Sequence, residues 1–116
     1  MNRAEHLFTI LGEEGVEIAQ RCSKVNRFGA AEVQPGQGLD NADRLRGEYI
    51  DLLAVMEMLV EEGLVLPVHY TDRPAIDAKK AKVEKFLRYS RKCGTLEETQ
   101  APAPNALAPV DAKDSP

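Results

Sequence analysis

The stretch LRGEYIDLLAVMEML, residues 45–59, decides the fold. Leu45, Glu48, Leu52, Val55 and Leu59 recur at steps of three and four, the period of an α-helix with one face turned inward. Apolar residues spread well beyond that stripe, through Leu53, Ala54, Met56, Met58 and Val60. A helix apolar over most of its circumference needs neighbours on several sides. Asn41 or Asp43 can cap its start, and Gly63 lies near its end. One residue breaks the pattern: Glu48 stands where a hydrophobe belongs.

The same break occurs upstream. From about Asn2 to Lys24 or Arg27, the stripe Leu7, Leu11, Glu14, Ile18, Cys22 and Val25 predicts a second amphipathic helix, again with an acid inside the apolar set. Between the two helices, the segment from Phe28 to Asp40 contains Pro35, Gly36 and Gly38 and reads as a loop. Downstream, Pro67, His69, Tyr70 and Pro74 mark a connection. Pro74 suits the first turn of a helix from about Ala75 to Lys92, with Asp72 as its cap and Gly94 beyond its end. Ile76, Val83, Phe86, Leu87 and Ser90 form its apolar face. Lys79, Lys80, Lys82, Lys85, Arg88, Arg91 and Lys92 make the rest basic.

The expected fold is all-α, with three main helices per chain forming a four-helix-type core through oligomerisation, as a homodimer or homotetramer. One helical domain is expected over residues 1–95. Residues 96–116, rich in Ala and Pro with no apolar period, read as a disordered tail. The chain has 116 residues, a formal net charge of −4 and a pI of about 5.2. That acidic balance argues against direct nucleic-acid binding. No run is apolar enough to span a membrane, and Arg3, Glu5 and Glu13 interrupt any signal-like core. A cytoplasmic protein without membrane association is expected. Cys22 and Cys93 read as reduced, packed thiols rather than a disulfide.

Two acid clusters carry the chemistry: Glu13-Glu14-Gly15-Val16-Glu17 and Glu48-Tyr49-Ile50-Asp51. Acids three residues apart on a helix point from one face. Two such helices packed together offer four carboxylates to a hard divalent cation. Taken singly, each cluster also suits a solvated helix end. The intrusion of Glu14 and Glu48 into two separate apolar stripes argues for inward-facing acids, since like charges turned inward need a neutralising partner. Neither His nor Cys stands at ligand spacing beside the acids, which disfavours zinc, and Glu-x-x-His pairs of the di-iron type are missing. Oxygen ligands alone suit Mg²⁺, with Mn²⁺ as a substitute.

EEGVE followed by EYID also resembles the Glu-Glu-x-x-Glu … Glu-x-x-Asp signature of the MazG-like, all-α nucleoside triphosphate pyrophosphohydrolases. The stretches QRCSKVNRFG, LRGEYIDLLAVMEML and AKKAKVEKFLRYSRKCG extend the resemblance over most of the helical part. The last two are most similar to small phage-encoded members, some of which act on purine deoxynucleoside triphosphates. The gap of about thirty residues between the clusters is long for the family. Gly12, Gly15 and Gly47 beside the acids also depart from helix-favouring usage, leaving room for close helix or substrate approach.

The resemblance implies hydrolysis of a nucleoside triphosphate such as dGTP or dATP to the monophosphate and pyrophosphate, in a host cytoplasm if phage-encoded. Glu14, Glu17, Glu48 and Asp51 are then the metal ligands. Glu13, one turn from Glu17, is the candidate to orient or deprotonate the attacking water. Lys79, Lys82, Lys24 and Arg27 are candidates for the phosphates, although a basic helix face is more often simply solvated. Asn26, Phe28 and Tyr89 are candidates for the base, although aromatic side chains at helix ends are more often core. His6 and His69 read as surface residues. A dUTP- or phosphoribosyl-ATP-cleaving relative, or a catalytically silent helical interaction module, are the rival readings.

Overall fold

The computed structural model describes residues 1–97; the Ala/Pro-rich stretch from residue 98 onward lies outside them. Every regular element among the described residues is helical: α1 (Arg3–Phe28), α2 (Asn41–Glu61), a 3₁₀ turn (Tyr70–Asp72) and α3 (Arg73–Lys92). The chain divides into two compact units. One is Met1–Val65, holding α1 and α2, and the second begins at Leu66 and holds α3.

Asn2 starts α1 with a capping box. Its side-chain oxygen accepts from the Glu5 N–H at 2.8 Å, and the Asn2 N–H reaches back to Glu5 Oε2 at 3.3 Å. The N-cap of α2 is Asp40, whose Oδ1 accepts from the Asp43 N–H at 2.8 Å. Sequence favours Asn41 or Asp43 there, but Asn41 is drawn inward. Fully buried, it donates through Nδ2 to Gly29 O at 2.9 Å and to Glu32 Oε2 at 2.8 Å. Ala42 N–H → Ala30 O and Asn41 N–H → Glu32 O complete this clasp between the end of α1 and the start of α2. The far end of α2 closes at Gly63, whose φ of 73° puts it in the left-handed region. There Gly63 N–H donates to Val60 O and Leu64 N–H to Leu59 O, a Schellman ending.

The loop turns the chain back on itself, so α1 and α2 run antiparallel. Arg3 near the start of α1 pairs with Glu62 beyond α2 at 3.0 Å, and Arg21 pairs with Glu48 at 3.5 Å. The Arg3 pair is solvated and contributes little. Leu7 and Leu59 are the buried hydrophobic residues of the hairpin, while Leu11, Ile18, Val25, Leu45, Leu52 and Val55 are half-buried. The two stripes therefore meet as their spacing predicts, except at Cys22, which is exposed. Cys93 is exposed as well; both thiols are free, but neither is packed. Phe8, Val16, Tyr49, Ile50 and Leu53 are exposed apolar side chains of the hairpin.

In the second unit, Pro74 occupies the first turn of α3 as expected. Asp72 precedes the helix but does not cap it with its side chain; its Oδ2 accepts instead from the His69 N–H at 2.8 Å. The apolar face of α3 is largely exposed at Ile76, Val83 and Phe86. None of the described helices is long and apolar enough to cross a membrane.

Candidate metal centre

Antiparallel packing brings the first acid cluster on α1 opposite the second on α2. Glu14 and Glu17, one turn apart, meet Glu48 across the helix–helix seam, and one oxygen from each lies within 4.8 Å of the others. Oxygens around an ion of magnesium size lie about 3–4 Å apart, set by metal–oxygen distances of about 2.1 Å. The trio is therefore close to ligating geometry.

Glu14 is half-buried, and its Oε2 is fully shielded with no hydrogen-bond donor. A shielded carboxylate oxygen without a donor is costly unless a cation supplies the missing charge. This orphaned oxygen, with two more carboxylates beside it, fits a hard divalent cation. Glu17 is exposed, and its neighbours still act on it: its pKa is raised, first by hydrogen bonding to the Glu48 side chain, then by charge repulsion from Glu48 and Glu14.

That shift has a sign. With its pKa higher in the folded state than in the unfolded chain, Glu17 binds more protons when folded in the window above its ordinary value. Its contribution to stability is present at acid pH and is lost as pH rises through the raised folded-state value. In chelator, the melting temperature should therefore carry a component that falls with rising pH across this window. Glu17→Gln should remove that component, and saturating Mg²⁺ should mask it. A pH profile by thermal melts, identical for wild type and Glu17→Gln, would contradict the assignment.

The remaining expected site residues are dispersed. Asp51 lies outside the trio, exposed one turn further along α2, and Glu13 is exposed beside Glu14. Lys24 is half-buried, while Asn26, Arg27 and Phe28 are exposed at the end of α1. There the Arg27 guanidinium sits over the Phe28 ring at 5.0 Å, so the two side chains stack on each other. Lys79, Lys82 and Tyr89 are exposed on α3, in the second unit. His6 and His69 are exposed, as expected. A Cβ added at Gly12, Gly15 or Gly47 would meet no atom within 4 Å, so close helix approach within the hairpin does not explain these glycines.

Arg21 is the residue that sequence reasoning missed. Its Nε lies 3.5 Å from Glu48 Oε1, both side chains are largely buried, and its Nη1 is shielded without an acceptor. The signal was present: Arg21 follows Glu17 by four residues and Glu14 by seven, which puts all three on one helix face. Comparison of the chain with protein-family models, with curated proteins and with solved structures finds no match.

Proposed function

We propose that this protein is a Mg²⁺-dependent hydrolase that cleaves a nucleoside triphosphate, a deoxypurine nucleotide such as dGTP or dATP, to its monophosphate and pyrophosphate. The observation that carries the reading is the Glu14–Glu17–Glu48 trio, with its donorless buried oxygen, assembled from two helices whose apolar stripes each admit one acid. The substrate class comes from the resemblance of EEGVE and EYID to the MazG-like signature.

Glu14, Glu17 and Glu48 hold the ion, and Asp51 is the fourth ligand that the signature supplies. When bound, Mg²⁺ provides charge neutralisation at the α-phosphate and a more acidic water. Glu13, exposed beside Glu14 in the chain, would orient the attacking water and accept its proton. Within the hairpin, Lys24 and Arg27 are the candidates for the triphosphate, and Asn26 and Phe28 for the base. The exposed apolar side chains of both helices, Phe8, Val16, Ile50 and Leu53 among them, support a second copy packing against the hairpin to complete a four-helix core.

One observation favours a second reading, a helical interaction module. An open apolar groove of about 620 Å³ lies in the second unit, lined by Leu66, Pro67, Val68, Ala75 and Ile76 and flanked by Lys79 and Lys80. A panel of ribo- and deoxynucleoside triphosphates, assayed for pyrophosphate with and without Mg²⁺, separates the two. The expected result is Mg²⁺-dependent pyrophosphate from at least one purine deoxynucleotide. No pyrophosphate from any nucleotide, with no metal-induced rise in melting temperature, would favour the interaction module.

A further inference from the structure

Arg21 is a poor structural ion pair. Arginine–carboxylate bridges that stabilise a fold are usually short and two-pronged, with contacts of about 2.7–2.9 Å. Here the guanidinium offers Glu48 a single contact at 3.5 Å from Nε, and Nη1 is shielded from water without an acceptor. The side chains are only 14% and 18% exposed, so solvent does little to relieve the mismatch. A shielded donor left unpaired is a net cost to the fold. The reason to keep it lies next to it.

Three carboxylates converge within 4.8 Å, and without a cation they repel one another. Arg21 sets one positive charge against that group, from the same face of α1 as Glu14 and Glu17. We propose that Arg21 is the resident counter-charge of the metal-free cluster, holding Glu48 toward Glu14 and Glu17 and competing with the incoming divalent cation. The inference rests on the reading of the trio as a cation site. Arg21 acts through Glu48 and is a positioning residue. It weakens metal affinity in exchange for an assembled cluster when no metal is bound.

The test uses the full chain stripped of metal with chelator. Free Mn²⁺ is followed by electron paramagnetic resonance, and melting temperatures are taken with chelator and with saturating Mn²⁺. Arg21→Met and Arg21→Gln should bind Mn²⁺ at least about tenfold more tightly than wild type, the effect of removing one charge about 6 Å from a divalent ion even at a dielectric near that of water. Arg21→Lys, which keeps the charge, should bind like wild type. Both neutral variants should melt lower than wild type in chelator, with the gap closing in Mn²⁺. Wild-type binding with unchanged or weaker binding by the neutral variants would overturn the proposal. So would an equal loss of melting temperature with and without Mn²⁺, or failure of both neutral variants to fold in either condition. If wild type itself shows no saturable Mn²⁺ binding, the cation-site reading falls, and the role of Arg21 with it.

Discussion

Glu48→Ala is expected to lower Mg²⁺-dependent pyrophosphate release by on the order of 10³-fold or more, with helix content retained. Glu48 is the member of the trio supplied by α2. Without it, the trio keeps only Glu14 and Glu17, two carboxylates from adjacent turns of one helix. A catalytic cation contributes several kcal/mol of transition-state charge stabilisation, and each 1.36 kcal/mol corresponds to tenfold in rate. Loss of the cation therefore reaches about a thousandfold without any other change. The fold should survive because the apolar seam at Leu7 and Leu59 is untouched and because Arg21, which loses Glu48, keeps Glu14 and Glu17 on its own face of α1. Glu57→Ala, an exposed acid on the same helix, should turn over like wild type. Asp51→Ala distinguishes a four-ligand site, which it would disable, from a site complete in the trio, which it would spare. Circular dichroism and steady-state assays of these three variants check the expectation; near-normal turnover by Glu48→Ala would remove the trio from the chemistry.

The second large effect is on stability. Leu59 has no solvent exposure, and Leu7 is its buried counterpart on α1. A buried Leu→Ala change costs about 2–5 kcal/mol, through lost transfer energy and the cavity left behind. Folded domains hold only about 5–15 kcal/mol in total. The hairpin concentrates its apolar burial on few side chains, so Leu59→Ala should remove a large part of its stability. Urea unfolding followed by circular dichroism should show a markedly lower midpoint with little change in slope. A midpoint within experimental error of wild type would show that the α1–α2 seam does not hold this unit together.

Much of this fold is legible in the chain because the two long stripes are regular. Leu45, Leu52, Val55 and Leu59 fix the inner face of α2, and Leu7, Leu11, Ile18 and Val25 fix that of α1. Glu14 and Glu48 are legible for the same reason, as exceptions to a strong period. What the period cannot show is the detail at the ends. Asp40 rather than Asn41 caps α2 because Asn41 is pulled across to Gly29 and Glu32, a contact between segments that no local pattern encodes. Cys22 falls on the edge of the stripe and is exposed, because the α1–α2 contact covers a narrower arc than the apolar residues span. Arg21 escaped notice because a cation between acids reads as part of a solvated face. Its burial follows from the approach of α2, which only the packed hairpin reveals.

The most direct measurement is hydrolysis of a deoxypurine triphosphate in ¹⁸O-labelled water with Mg²⁺, with products resolved by mass spectrometry. Water attack at the α-phosphate predicts one labelled oxygen in the monophosphate, unlabelled pyrophosphate, and loss of both products in Glu48→Ala. Label in pyrophosphate or orthophosphate, or turnover that persists without Glu48, would contradict the account.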